Sequence, residues 1–215
     1  ALAGTTSIDF LDGIGLLRGE LVGAHVVAPG EGEIGLLAQR GVGVVHCPQS
    51  NMKIAAGVAP VPAMIAAGVA VGLGTDGAGS NNDLDLWQEI DSAAKLHKLA
   101  AGDPTVLDAR QAMAMATREG ARALDLDERV GSLEVGKAAD LIVVRADAVH
   151  QVPQSPARNP YSLLTYATKA ADVETVMVGG RFLMREGRLA TLDEASIVAD
   201  ARRLRARVEA GFGAR

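Results

Sequence analysis

Asp76, His25 and His46 are the side chains best placed to do chemistry, because each closes a short apolar run. Val69-Ala70-Val71-Gly72-Leu73 leads into Gly74-Thr75-Asp76-Gly77, Leu21-Val22-Gly23-Ala24 leads into His25, and Val42-Gly43-Val44-Val45 leads into His46. A carboxylate near imidazoles can bind a divalent cation or take a proton from the water that such a cation activates. Locally, Thr75-Asp76-Gly77 fits a plain turn equally well, since Asp and Gly both favour turns. A lone histidine at a strand end is commonly structural. The loop after His46, Cys47-Pro48-Gln49-Ser50-Asn51-Met52-Lys53, is dense in polar groups, and Ser50, Asn51 and Lys53 are candidates to touch a substrate. Its bland alternative is an ordinary strand-to-helix loop with a cap.

Other candidates carry less. Cys47 reads as a small buried residue and not as a nucleophile. His97 shares a helix with Lys95 and Lys98 and is expected on a solvated face, and His150 lies in a proline-containing loop without a chemical signal. Arg202, Arg203, Arg205 and Arg207 read as the exposed face of the last helix. Gly72-Leu73-Gly74 followed by Gly77 lacks the Gly-Lys-Ser/Thr ending of a phosphate loop.

The elements that must carry these groups follow a repeating plan. Glu33–Arg40 has apolar residues at Ile34, Leu37 and Ala38, then Gly41, then the strand ending at His46. Ala63–Ala67 ends at Gly68, and the strand before Asp76 follows. Glycine just past a helix end is the expected stop. Strand, helix and strand joined by short connections predict parallel strands with right-handed crossovers. Parallel strands share one C-terminal edge, so His25, His46 and Asp76 are expected on one rim, where α/β folds bind ligands.

Asp83 or Asp85 is expected to cap a helix that turns Leu86, Ile90, Ala93 and Ala94 inward. A further helix is expected from about Asp108 to Leu124. The texture changes near Gly131: Leu141–Val144 reads as a short buried strand, and Pro153, Pro156 and Pro160 mark a long loop. Gly179-Gly180 between Val173–Val178 and Arg181–Arg185 is a hairpin signal. Thr191 with Glu194 forms a capping-box pattern that opens a final helix to about Glu209.

Composition bounds the class. The chain has 215 residues, 48% hydrophobic but only 3% aromatic, so its core must be built from Ala, Val, Leu and Ile. A net charge of −5 gives no sign of a nucleic-acid partner. No apolar run approaches the roughly 18 residues that would span a membrane. One cysteine excludes an internal disulfide and fits a reducing, cytoplasmic location. Ala1-Leu2-Ala3-Gly4-Thr5-Thr6 has neither a charged n-region nor an apolar h-region, so no signal peptide is expected. The missing initiator Met is expected to reflect processing or a piece of a longer chain.

Taken together, the motifs resemble the amidohydrolase superfamily, in particular its 5′-methylthioadenosine/S-adenosylhomocysteine deaminase group, over nearly the whole chain. They are Gly23-Ala24-His25-Val26, the loop from Val45 to Lys53, Gly57-Val58-Ala59-Pro60-Val61-Pro62, the run from Leu73 to Asp85, and Gly131-Ser132-Leu133-Glu134-Val135-Gly136-Lys137-Ala138-Ala139-Asp140-Leu141. The resemblance implies an α/β fold: strands 6 to 8 of a metal-dependent (β/α)8 TIM barrel over residues 1–128, then a small β-sandwich module with a terminal helix over 129–215. It implies hydrolytic deamination of an adenine nucleoside by a metal-activated water, with zinc the usual metal and iron an alternative. Asp76 would be a metal ligand and proton carrier that also meets the substrate. His25 would help to position or polarise the attacking water, and His46, Ser50 and Asn51 would line the pocket. Homo-oligomers are common in such families.

The family's His-x-His pair, its later His and its Glu have no counterpart here. The chain alone is therefore expected to be inactive, to bind zinc weakly and to be poorly soluble. Two other readings keep the residues but change the role. One is a related amidohydrolase acting on a triazine, guanine or another heterocycle; the other is a non-catalytic fragment that serves as one chain of a split barrel.

Overall fold

A computed structural model describes residues 4–155 and 157–212. Pro156 and the first three residues of the leader reading lie outside the described residues. The first part runs α1 (Ser7–Gly13), β1 (Val22–Ala24), α2 (Glu33–Arg40), β2 (Gly43–His46), α3 (Pro48–Lys53), α4 (Val61–Ala66), β3 (Val71–Leu73), α5 (Ala78–Asn81), α6 (Leu86–Ala101), α7 (Ala109–Met115) and α8 (Arg118–Ala123). The three strands are parallel in the order β1-β2-β3, with Val22 opposite Gly43, Val44 opposite Val71 and His46 opposite Leu73. The expected shared C-terminal rim is present.

Local chemistry explains the boundaries. Gly41 ends α2 at φ 69°, the left-handed region that glycine enters without a Cβ clash. Asp85, rather than Asp83, caps α6 by accepting from the Trp87 and Gln88 amides at 2.8 and 3.3 Å. Ile90, Ala93 and Ala94 of α6 are buried as expected, whereas Leu86 is exposed. The helix expected over 108–124 is two helices. Asp108 opens α7 with a capping box to Gln111, and Thr117, at φ −129° and ψ −104°, separates it from α8.

Val44, Val61, Met64, Val71 and Met115 are at most 1% exposed and anchor one core between the sheet and its helices. Burying a side chain of that size stabilises by about 1.5–3 kcal/mol. One helix lies directly on the strands. A Cβ on Gly43 would stand 2.0 Å from the Ala123 carbonyl oxygen, and one on Gly72 would stand 2.9 Å from Gly120 Cα. Glycine at 43 and 72 is what lets α8 approach β2 and β3.

The second part contains β4 (Leu141–Val144), α9 (Pro160–Ser162) running into a π-helical turn at Leu163–Ala167, β5 (Val173–Val178), β6 (Arg181–Arg185), β7 (Arg188–Leu189) and α10 (Glu194–Phe212). Its strands form one antiparallel sheet in the order β4-β5-β6-β7, and Val178 faces Arg181 across the expected Gly179-Gly180 hairpin. Among the described residues the sheet is a single layer. β4 is less buried than its sequence predicts: Ile142 and Val143 are 47% and 48% exposed. The Thr191–Glu194 capping box does not form; Asp193 Oδ1 accepts from the Ser196 amide at 3.2 Å instead.

The proline-marked loop is not featureless. Trp87 Nε1 donates to the Leu164 carbonyl at 2.7 Å and Thr165 Oγ1 to the Ala109 carbonyl at 3.1 Å, which ties the π-helical turn to α6 and α7. His150, without a signal in the sequence, pairs its Nε2 with the buried Asp172 carboxylate at 2.8 Å.

Candidate active site

The backbone turns sharply where the strands end. His25 and Asp76 have φ of 67° and 60°, in the left-handed region that non-glycine residues rarely occupy. Such strain concentrates where the surrounding structure holds a side chain for a task. It turns both groups toward each other, with His25 Nε2 3.7 Å from Asp76 Oδ2. These are the solvent-accessible members of the rim, with side chains 33% and 34% exposed.

Asp76 is held by hydroxyls. Ser50 Oγ and Ser80 Oγ each donate to its Oδ2 at 2.6 Å. These two hydrogen bonds, Ser50's first, bring its pKa down to about 2, so the carboxylate is ionised at neutral pH. Among the described residues no side chain donates to Oδ1. His25 is oriented by Asn51, whose Oδ1 lies 2.8 Å from His25 Nδ1. A carbonyl oxygen only accepts, so His25 Nδ1 carries a hydrogen, and Nε2 is the ring nitrogen turned toward Asp76.

The other sequence candidates lie beneath this pair. His46, Ser50 and Asn51 are 0–1% exposed. Ser50 and Asn51 act on Asp76 and His25, whereas His46 turns its Nε2 to His97 Nε2 at 3.1 Å. Burial first, and then the neighbouring His97 and His25, lower the His46 pKa to about 3; burial and Lys98 lower that of His97 to about 4. Both rings are neutral at ordinary pH. The expectation of a solvated His97 is thus wrong: the residue is 2% exposed. Ile90, Ala93, Ala94 and His97 follow the i, i+3, i+4, i+7 spacing of one helix face, a signal that outranks the flanking lysines. Cys47 is buried, and burial pushes its thiol up to about 11, which suits the structural reading.

Sequence reasoning missed Glu89. It is fully buried, accepts from the Gln49 amide at 3.1 Å and from Asn81 Nδ2 at 2.6 Å, and burial raises its pKa. Asn81 Nδ2 also donates to the Thr75 carbonyl at 2.7 Å. One carboxylate therefore ties the loop after β2 to the loop that carries Asp76. Its signal was again position, since residue 89 lies on the face shared with Ala93 and His97. Lys53 joins the same two loops through the Gly79 carbonyl at 3.0 Å and through Asn82 Oδ1.

Zinc fits this rim as a partial site. Asp76 offers an ionised, oriented carboxylate of the type zinc takes, yet among the described residues no three His, Cys, Asp or Glu side chains converge as a metal set. A zinc site commonly uses three or four protein ligands.

Comparison with known proteins adds the wider frame. Residues 3–183 match the model of the amidohydrolase family. A 5-methylthioadenosine/S-adenosylhomocysteine deaminase of Desulforudis audaxviator is 48% identical over 200 residues, covering 93% of this chain and 46% of the relative. An adenosine deaminase of Xanthomonas campestris with bound zinc superposes with a TM-score of 0.93 at 41% identity, over 97% of this chain and 47% of that one. A zinc-bound atrazine chlorohydrolase of Arthrobacter aurescens gives 0.86 at 32% identity, over 94% and 44%. The chain spans about half the length of the relatives it matches.

Proposed function

The chain belongs to the amidohydrolase family, and from that premise we propose that it supplies the C-terminal part of a zinc-dependent aminohydrolase. The substrate would be the adenine ring of 5′-methylthioadenosine or S-adenosylhomocysteine, with water replacing the exocyclic amine to give the inosine analogue and ammonia. The observation that carries this reading is Asp76: an ionised carboxylate at the C-terminal end of β3, fixed by Ser50 and Ser80 beside His25.

The residues divide the work. Asp76 would ligate the metal, accept the proton of the attacking water and pass it toward the leaving amine. The Nε2 of His25 would hydrogen-bond that water and aim it. Ser50 and Asn51 would hold these two groups, and His46 would form the floor of the pocket. The metal supplies Lewis acidity that brings a water's pKa near neutrality. Zinc in both structural neighbours supports that choice, with iron an alternative. Residues 1–128 would complete a (β/α)8 barrel with strands not in this chain, and the single sheet of 129–215 would supply one layer of the sandwich module. Among the described residues no helix is long and apolar enough to cross a membrane.

Complementation tests the proposal. The N-terminal portion of the Desulforudis relative, outside the matched segment, is combined with this chain and zinc, and ammonia release from 5′-methylthioadenosine is followed. Turnover is expected from the combination, none from the chain alone, and none with Asp76→Asn. The likeness to the atrazine chlorohydrolase sustains a second reading, a related hydrolase of another heterocycle. Release of product from a triazine or guanine but from no adenine nucleoside would select it.

A further inference from the structure

The π-helical turn in the second part of the chain offers one carbonyl to another element. In an α-helix the Thr168 amide would bond the Leu164 carbonyl. Here it bonds the Leu163 carbonyl at 3.0 Å, one residue further back. The next amide, that of Lys169, bonds the buried Asp172 carboxylate at 2.8 Å. The Leu164 carbonyl, passed over by both, accepts from Trp87 Nε1 at 2.7 Å. Single π-helical turns recur at functional sites. This one supplies no residue to the rim, so its use lies in what it grips.

It grips the first turn of α6, and that turn holds the loop of Asp76. Asp85 caps it through the Trp87 and Gln88 amides. Glu89, further along the same helix, bonds Asn81, which bonds the Thr75 carbonyl. The segment that follows Asp76 is thus fastened to α6 at Asn81 and again at Asp85. Between these ties and β3, Ser80 donates to Asp76 Oδ2 at 2.6 Å. A helical turn is rigid, so the position of Trp87 fixes the positions of Asp85 and Glu89 on either side of it. We propose that Trp87 is a positioning residue for Asp76, through which the second part of the chain sets the geometry at the end of β3. The catalytic meaning of that placement rests on the aminohydrolase reading above; the placement itself does not.

A bond that only adds stability has a close match in the same turn, where Thr165 Oγ1 donates to the Ala109 carbonyl of α7 at 3.1 Å. Thr165→Val is therefore the control. Trp87 is the one tryptophan in the chain. Biosynthetic replacement by benzothienylalanine keeps its shape, puts sulfur where the N–H was and changes no other position. Amide hydrogen exchange is followed on the 215-residue chain, without metal or substrate, at Ser80, Asn81 and Asn82, whose amides bond Gly77 and Ala78 carbonyls, and at Val44 in the sheet. The replacement at Trp87 is expected to speed exchange at Ser80, Asn81 and Asn82 by about tenfold or more relative to Val44, and Thr165→Val to leave that ratio within about twofold. In the complemented enzyme described above, the same replacement is expected to lower kcat by about tenfold with KM within about twofold. No metal or substrate enters the exchange measurement, so its failure is told apart from failure of the aminohydrolase reading. Unchanged exchange at Ser80 to Asn82, equal acceleration in Thr165→Val, an unchanged kcat, or loss of the whole fold on replacement of Trp87 would each overturn the proposal.

Discussion

His97 Nε2 lies 3.1 Å from His46 Nε2, a histidine–histidine hydrogen bond in which at least one ring must be neutral to accept, and burial keeps both neutral. Both folded-state values, about 3 for His46 and about 4 for His97, lie below the ordinary 6.5. The unfolded chain therefore binds protons that the folded chain excludes. Stability is fully present above pH 6.5 and is lost as pH falls toward 4 and then 3, by up to about 2.7 kcal/mol per pH unit for two such groups. Urea unfolding at pH 7, 6 and 5 measures this. A stability flat across that range would rule out the neutral pair.

The two serines on Asp76 make a separate prediction. Ser50 and Ser80 supply the two largest causes of its lowered pKa. With chelator present, Ser50→Ala and Ser80→Ala are each expected to raise the Asp76 pKa, and the double variant to bring it near 3.8. Carbon-detected NMR titration of the carboxyl reads this directly, and Asp12, held by Arg40, serves as an unaffected control. An Asp76 titration that ignores both substitutions would show that the hydroxyls do not hold it.

The rim itself was legible in the sequence, because period, glycine stops and parallel connection rules together fix where β1, β2 and β3 end. The Gly179-Gly180 hairpin was legible for the same local reason. What stayed hidden depends on contacts distant in sequence. His97 and Glu89 look like solvent-facing polar residues until α6 is laid against the loops of β2 and β3. The break at Thr117 is also hidden, since nothing in Ala116-Thr117-Arg118 forbids a helix. There Thr117 Oγ1 bonds the Met113 carbonyl and α8 turns onto the sheet. α1, capped by Thr6 on the Asp9 amide, was not anticipated either.

Gly43 and Gly35 separate tight packing from open space. At 43 the added methyl meets Ala123 backbone at 2.0 Å, and at 35 nothing lies within 4 Å. Gly43→Ala is expected to destabilise by about 3 kcal/mol because α8 must move as a unit. Gly35→Ala, in the first turn of α2, is expected to stabilise by up to about 0.5–1 kcal/mol through helix propensity. Thermal unfolding of the two variants gives the comparison. A neutral Gly43→Ala would mean that α8 does not lie against β2.

Glu89 gives the last prediction. Its two oxygens satisfy the Gln49 amide and Asn81 Nδ2, and Asn81 in turn holds the Thr75 carbonyl next to Asp76. Glu89→Leu fills similar space but leaves the Gln49 N–H unpaired in the interior, at a cost of about 1–3 kcal/mol. Glu89→Gln keeps one acceptor and turns an NH₂ toward donors, so it loosens one loop and not both. Hydrogen exchange at the Gln49 and Asp76-loop amides is expected to accelerate at both loops in Glu89→Leu and at one in Glu89→Gln. Among the described residues the Glu89 carboxyl is the one side chain of α6 that hydrogen-bonds both loops, so its removal should uncouple them before the core unfolds. Exchange that rises only with global unfolding, in step with loss of the Val44 amide, would show that Glu89 stabilises the core and does not set the geometry of Asp76.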